Sequence, residues 1–317
     1  MIRFGKPEDI PELKNLWKEC FDDEDAYIDA FFQALYQGEN VLLSQENGML
    51  AGASFFLPGS INMEETGSAG SQPGIQKNTD PAQKNGSWQQ IRYVYALAVY
   101  PQYRGHGIAG RLLKEAARIY ESPLIAEPAE ESLVGGFYEP LGFSKAFYVT
   151  KKQTALPQYD LQAAQSSAFH IQPAEAEIYR RVRDSRFKRR GYVSWPEEHL
   201  AFAISEHRAG GGDALLVTGE NGEDILLYYT EDSRAVVTET TLPVQDAVSV
   251  LMQCLRQHCD TLVLTGRAEQ KTVQGSGNNN DQCAEQDCMT DENGENCLRG
   301  VMLGSADTGG YLNVTLD

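Results

Sequence analysis

Tyr93-Val94-Tyr95-Ala96-Leu97-Ala98-Val99-Tyr100-Pro101-Gln102-Tyr103-Arg104-Gly105-His106-Gly107-Ile108-Ala109-Gly110-Arg111-Leu112-Leu113 is the stretch that sets the fold. From Ile91 to Tyr100 it is rich in β-branched and aromatic residues and predicts a strand. A glycine-rich turn follows, and then Ile108, Leu112, Leu113, Ala116 and Ile119 recur at the spacing of an amphipathic helix. A helix that starts there aims unpaired N–H groups and the positive end of its dipole at the point where glycines let the backbone approach a ligand. That geometry suits an anionic phosphate. No Lys-Ser/Thr pair follows the turn, so a nucleoside triphosphate site loses ground, and a dinucleotide site is set aside with it.

Working outward, Arg3-Phe4 starts a short strand, and Ile10, Leu13, Leu16 and Trp17 mark a helix opened by Pro7. A second helix runs from Glu24 to about Tyr36, and Glu46-Asn47-Gly48 joins two strands as a hairpin. Gly, Ser, Asn, Gln and Pro dominate about 60–89, which predicts a flexible insertion. Beyond the deciding stretch come a strand at 123–126, a helix at 130–138 and a strand at 143–150. The second half repeats this order: helices at 174–184 and 196–207, a hairpin at Glu220-Asn221-Gly222, and a strand at 235–239. A helix at 244–257, a strand at 261–264, a loose insertion at about 269–296 and closing strands at 300–303 and 311–316 complete it. Two domains are expected, 1–152 and 168–317, joined by a linker at 153–167.

The 317 residues carry 27 Lys+Arg against 45 Asp+Glu, a net charge of -18 with a pI near 4.7. Such a surface disfavours nucleic acid and anionic membranes and draws cationic ligands. No apolar run reaches membrane-spanning length and the N-terminus carries no leader pattern, so a cytoplasmic location is expected. Cysteines 20, 254, 259, 283, 288 and 297 are scattered, which fits free thiols better than a disulfide framework or a metal site. No metal is expected: His106 has no partner ligand in reach, and Asp291-Glu292-Asn293-Gly294 lacks the ligand spacing of a calcium loop. The basic cluster of Arg180, Arg181, Arg183, Arg186, Lys188, Arg189 and Arg190 is read as a solvated helix face with acidic neighbours, ahead of an anion-binding surface. Asp22-Asp23-Glu24-Asp25 fits either a helix start or an amine-attracting mouth.

Arg104-Gly105-His106-Gly107-Ile108-Ala109, placed after a strand, resembles the Arg/Gln-x-x-Gly-x-Gly/Ala motif of the GNAT acetyltransferase superfamily. Phe137-Tyr138-Glu139-Pro140-Leu141-Gly142-Phe143 resembles its later Tyr-x-x-x-Gly-Phe motif, in the expected order. The resemblance implies an α/β (α+β) fold of two tandem GNAT-like domains, each a mixed, mostly antiparallel sheet flanked by helices, with the strand at 91–100 splayed. It implies acetyl-CoA as co-substrate. Arg104, Gly105, His106, Gly107, Ile108, Ala109 and Gly110 would hold the pyrophosphate, and backbone groups of Leu97, Ala98 and Val99 would pair with the pantetheine arm. Tyr138 would be the general acid that protonates the departing thiolate. The two-domain order is similar to tandem acetyltransferases of the enhanced-intracellular-survival type, with no room in this length for their sterol-carrier-like domain.

Many family members place a carboxylate on the cofactor strand, but residues 91–103 contain none. By resemblance to the tandem type, the α-carboxylate of Asp317 is the candidate base, beside a water relay. The second half has Thr240-Thr241-Leu242-Pro243 where the first has glycines, so it is expected to shape the acceptor pocket and not to bind acetyl-CoA. The expected activity is acetyl transfer to a primary amine, by direct attack in a ternary complex. The acceptor would be a small-molecule or peptide amine, cationic by the charge argument. The contrasting possibility is a noncatalytic acyl-CoA sensor or interaction module. Oligomeric state is left open by the sequence.

Overall fold

The computed structural model describes residues 1–63, 88–156, 169–187, 191–255, 259–267 and 295–303. In chain order the first elements are β1 (Ile2–Phe4), α1 (Ile10–Cys20), α2 (Asp25–Leu35), β2 (Val41–Glu46), β3 (Met49–Asn62), β4 (Trp88–Val99), α3 (Ile108–Tyr120), β5 (Leu124–Ala126) and β6 (Ser144–Ala155). There follow β7 (His170–Pro173), α4 (Ala176–Arg186), β8 (Val193–Ser194), α5 (Glu197–Ala209), β9 (Asp213–Gly219) and β10 (Gly222–Glu231). The last are β11 (Arg234–Thr240), α6 (Val244–Cys254), β12 (Thr261–Arg267) and β13 (Glu295–Leu303). Two compact units result. Among the described residues, one comprises 1–63, 88–146, 191–202 and 300–303, and the other 147–156, 169–187, 203–255, 259–267 and 295–299.

The first unit is a mixed sheet in the order β1-β2-β3-β4-β5, antiparallel except that β4 and β5 run parallel, with residues 301–303 of β13 antiparallel beyond β5. The β2–β3 hairpin turns at Asn47 and Gly48, both with positive φ, as a two-residue turn matched to strand twist requires. Alternation along β3 sends Gly52 and Phe56 to the α3 face, where they meet Ile108 and Tyr120, and Phe55 to the opposite face. There Trp17 of α1, Phe31 and Phe32 of α2, Phe55 and Tyr95 pack ring against ring, with Trp17 4.8 Å from Phe31 and 5.8 Å from Tyr95. α1 and α2 bury Leu13, Leu16, Trp17, Ile28, Phe31, Phe32 and Leu35, the single stripe that their sequence periodicity demands.

The second unit is ordered β6-β12-β11-β10-β9-β7, antiparallel except for the parallel pair β11–β12. Its core packs Ala247, Val250 and Leu251 of α6 onto Leu215, Val217, Leu226, Val237, Leu262 and Leu264. Both units are therefore mixed, mostly antiparallel sheets flanked by helices, as expected.

Several boundaries differ from the sequence reading. The helix expected at 130–138 is instead a π-helical turn at Val134–Tyr138 closed by a tight turn at Glu139–Leu141, because Gly135-Gly136 weakens helix propensity and Pro140 ends it. β3 and β4 extend into the expected insertion as far as Asn62 and from Trp88, and β13 begins at Glu295. The middle of both insertions, 64–87 and 268–294, lies outside the described residues, as do most of the proposed linker and the closing strand at 311–316. Residues 191–202, expected in the second domain, group with the first unit: β8 pairs antiparallel with Ser60 and Ile61 at the end of β3.

Candidate acyl-transfer site

β4 pairs with β5 at Arg92↔Leu124, Tyr93↔Ile125 and Val94↔Ala126, and there β5 stops while β4 continues to Val99. From Tyr95 onward the two strands part. At the same level β4 carries an extra residue: Phe55 faces Tyr95 and Ala53 faces Ala98, so two β4 residues oppose Ser54 alone. Ala96 absorbs the bulge with a φ of +47, and Ser54 Oγ donates to Tyr95 O at 3.2 Å.

Tyr100 N donates to Ala51 O. Alternation of bonded pairs in an antiparallel ladder then turns the backbone groups of Ala98 toward β3, and those of Val99 and Leu97 toward the parted edge. Val99 O accepts from Arg104 Nε at 3.0 Å and lies 3.5 Å from Cys20 Sγ. Leu97 and Val99 thus offer main-chain groups along the opening. Ala98 contributes its small side chain instead.

The turn between β4 and α3 is held by Arg111, whose guanidinium donates to His106 O at 2.6 Å and pairs with Glu46 at 2.9 Å. Gly105 and Gly107 have φ of +79 and +71, left-handed values that β-carbon-bearing residues resist. Gly107 is the N-cap of α3 and brings no side-chain acceptor, and no acidic residue sits in the first turn. The first bond into the helix is Arg111 N to Gly107 O, so the N–H groups of Ile108, Ala109 and Gly110 precede the helical ladder. Arg104, Gly105, His106 and Gly107, in the turn before it, are exposed. A diphosphate fits this cradle of donors. Glycines 105, 107 and 110 also have the G-x-G-x-x-G spacing of dinucleotide sites, so spacing alone does not exclude that class. What separates the two is the sheet of the first unit, which among the described residues is parallel at the β4–β5 pair alone.

A β-carbon on Gly110 would lie 3.4 Å from Leu141, so the start of α3 sits against the turn that follows Tyr138. Tyr138 O accepts from Phe143 N, and its buried ring stands edge-on to Phe137 and Phe143 at 5.0 and 5.3 Å. Burial pushes its phenol up to about 12, so the hydroxyl stays a proton donor at neutral pH.

On the α1–α2 face, the hydroxyls of Tyr95 and Tyr27 share a 2.5 Å hydrogen bond, and Asp23 accepts from the Trp17 indole at 2.7 Å. Burial and the Tyr27 partner hold the Tyr95 phenol far above its ordinary range. Residues 191–202 cover this face. Trp195 stands 5.5 Å from Tyr93 and 6.0 Å from the imidazole of His199, and Phe202 stands 5.6 Å from Tyr27. Burial lowers His199 to about 4, so it is neutral at physiological pH. Sequence reading missed this wall, although Tyr192-Val193-Ser194-Trp195 before Pro196 is a short strand signal.

In the second unit β11 bulges at Thr238, since Tyr228 faces Val237 while Leu227 faces Glu239. The segment beyond, Thr240 to Pro243, has no glycine, and Pro243 is the N-cap of α6. Beside the bulge, Glu239 accepts from Arg183 Nε and from Tyr179 Oη, each at 2.8 Å, with Arg183 and Glu239 both 0% exposed. Arg180, Arg181 and Arg186 pair with Asp184, Glu223 and Asp224, in line with a solvated face, but Arg183 departs from it. Lys188, Arg189 and Arg190 lie outside the described residues, as do Asp317, Cys283 and Cys288. Among the described residues Cys20, Cys254 and Cys259 are free thiols, no cluster of His, Cys, Asp and Glu could hold a metal ion, and no helix is long and apolar enough to cross a membrane.

Residues 68–145 match the family model of the acetyltransferase (GNAT) domain. The structure is similar to that of a GCN5-related N-acetyltransferase from Anabaena variabilis, with a TM-score of 0.61 at 12% identity over 95% of this chain and 72% of that one. It is similar to Eis1 from Mycobacterium abscessus, with a TM-score of 0.55 at 16% identity over 83% of this chain and 65% of that one. A GCN5-related N-acetyltransferase from Kribbella flavida gives 0.60 at 12% identity over 95% and 70%. At these identities the likeness is one of fold. No curated protein sequence matches the chain.

Proposed function

We propose that this chain, which carries a GNAT acetyltransferase domain at residues 68–145, moves acetyl from acetyl-CoA to a primary amine by direct attack. The observation that carries the reading is the pairing of a parted, bulged β4 with a left-handed glycine turn and an uncapped α3 start. A thioester laid along Leu97 and Val99 has its diphosphate at Gly105 to Gly110 and its carbonyl at the bulge. Arg104 and His106 flank the diphosphate at the exposed rim of the turn. The amine nitrogen bonds to the carbonyl carbon, the C–S bond breaks, and Tyr138 gives its proton to the sulfur.

The acceptor proposed is a cationic small-molecule or peptide amine. Asp23 stands beside the Tyr27–Tyr95 pair, and Asp22 and Glu24 add negative charge at the same loop. The described arginines of α4 are paired with acids, which weakens the case for an anionic acceptor at that helix. The α-carboxylate of Asp317 stands as the sequence candidate for base. A location in the cytoplasm fits a reaction that draws on acetyl-CoA.

The test is release of free thiol from acetyl-CoA across a panel of polyamines, amino sugars and lysine peptides, with propionyl-CoA as a second donor. Turnover with a cationic amine is expected, and Tyr138→Phe should lower kcat about 10²-fold with little change in acetyl-CoA binding. The absence of a carboxylate on β4 favours the sensor as second reading. Tight acetyl-CoA binding with no turnover on any amine would establish that instead.

A further inference from the structure

In the proposed reaction the thioester carbonyl lies at the β4 bulge, so the amine reaches it from one of the two faces of the sheet. α3 covers one face on both sides of the bulge. A β-carbon on Gly52, the partner of Val99, would stand 3.1 Å from Ile108, and Phe56, the partner of Val94, packs on Tyr120 at 5.6 Å. The other face carries Tyr95, which belongs to the site by its place in the chain. It is the residue before Ala96, it pairs with Phe55, and its carbonyl accepts from Ser54 Oγ at 3.2 Å. Its ring stacks on Phe31 at 5.1 Å and 27° and stands 5.8 Å from Trp17, and its hydroxyl meets Tyr27 Oη at 2.5 Å. Tyr27 is held in turn by Phe202, edge-on at 5.6 Å, and by Trp17 at 6.4 Å. Trp17, Phe31 and Phe202 are buried, whereas Tyr27 and Tyr95 stay partly open. The rings therefore hold a bonded pair of hydroxyls beside the bulge, on the face that α3 leaves free.

We infer, on the acetyl-transfer reading above, that the Tyr95 hydroxyl, held by Tyr27, binds the attacking nitrogen of the acceptor. A neutral primary amine attacks with its lone pair turned to the carbonyl carbon. It then has N–H groups alone to offer the protein, so the group that binds it accepts a hydrogen bond. Two hydroxyls bonded to each other share one of their two protons. With Tyr95 donating to Tyr27, the Tyr95 oxygen has a lone pair for the amine N–H. Tyr27 is the positioning residue, because it fixes where the Tyr95 proton points. Burial keeps the Tyr95 phenol protonated, so it orients the nitrogen and leaves removal of its proton to another group. The same desolvated, uncharged surroundings disfavour the ammonium form, which has no lone pair with which to attack.

The experiment compares wild type, Tyr95→Phe, Tyr27→Phe and the double variant, each by steady-state thiol release and by calorimetric titration with acetyl-CoA. The acceptors are the polyamines, amino sugars and lysine peptides that wild type turns over. Phenylalanine keeps both rings and removes the hydroxyls alone. Tyr95→Phe should lower kcat/KM for the amine about 10-fold and leave acetyl-CoA affinity unchanged. Tyr27→Phe, which leaves the Tyr95 hydroxyl in place but free to turn, should cost about 3-fold. The double variant should match Tyr95→Phe, because Tyr27 acts through Tyr95. Wild-type kcat/KM in Tyr95→Phe would overturn the inference. Losses that multiply in the double variant would also overturn it, as would an equal fall in acetyl-CoA affinity, which marks a general loosening of the bulge. If Tyr95→Phe does not fold, Tyr27→Phe decides: a lowered kcat/KM with intact acetyl-CoA binding supports the pair, and a wild-type value refutes it. Wild type that binds acetyl-CoA but acetylates no amine fails the acetyl-transfer reading and this inference with it, whereas an active wild type with an unchanged Tyr95→Phe fails this inference alone.

Discussion

Gly48, Gly105 and Gly107 hold nearly the same left-handed backbone, with φ of +82, +79 and +71. A β-carbon would meet nothing within 4 Å at Gly48 or Gly105, and only the far end of Arg111, at 3.8 Å, at Gly107. Alanine is therefore opposed at each by backbone strain alone, about 1–2 kcal/mol. In a chain of this size that is a Tm loss of roughly 2–8 °C. The positions differ in what the strained peptide does. Gly48 closes a hairpin, whereas Gly105 orients N–H groups at the proposed diphosphate site. A turn that relaxes there gives up a charge-assisted hydrogen bond worth about 1.5–3 kcal/mol, a rise in the KM for acetyl-CoA of roughly 10-fold to 150-fold. The assay is thermal unfolding alongside acetyl-CoA kinetics for Gly48→Ala, Gly105→Ala and Gly105→Asn, since Asn tolerates left-handed backbone better. Equal Tm losses for the two alanine variants are expected, with a raised KM in Gly105→Ala alone and partial recovery in Gly105→Asn. A wild-type KM in Gly105→Ala, or an equal rise in Gly48→Ala, would refute the reasoning.

Arg183→Met leaves the buried Glu239 carboxylate without its cationic partner, with the Tyr179 hydroxyl still bonded to it, and should destabilise the second unit by about 3–5 kcal/mol in urea unfolding, while Arg183→Met with Glu239→Leu recovers most of that loss. A double variant no more stable than the single one would sink this account of the pair. His199 is held near 4 against an ordinary 6.5 by burial, so the unfolded chain binds the extra proton between those values. Stability should then fall as pH drops from 6.5 to 4, by about 3 kcal/mol over the window, and His199→Phe should flatten that limb of the curve. A pH profile identical in wild type and variant would count against it.

How much could be read from the sequence depends on how local the cause is. The β4–turn–α3 passage was legible because strand composition, left-handed glycines and helical periodicity act within a few residues of each other. The motif singled out Tyr138 as a candidate, but its π-helical setting was not legible, since Gly135-Gly136 and Pro140 break a helix whose apolar spacing otherwise continues. Residues 191–202 escaped because their place depends on a distant glycine. A β-carbon on Gly59 would come within 2.9 Å of the Trp195 ring, so only glycine lets that ring lie on β3.

The bulge recurs in both units, at Ala96 in β4 and at Thr238 in β11, and each bulged strand has a parallel neighbour that stops pairing before the strand ends. Under the proposed reading, a bulge alone therefore does not make an acyl-transfer site. In β4 the residues beyond it are Leu97, Ala98 and Val99, and their side chains leave the parted edge to main-chain groups. In β11 the residue beyond it is Glu239, whose carboxylate draws Arg183 and Tyr179 into a buried, mutually bonded group. Dispersing that group would leave a desolvated charge without its partner, a cost larger than a ligand's hydrogen bonds could offset. The same topology thus leads to an open edge in one unit and a bonded, packed one in the other. The choice rests on the residue after the bulge and on whether glycines follow the strand.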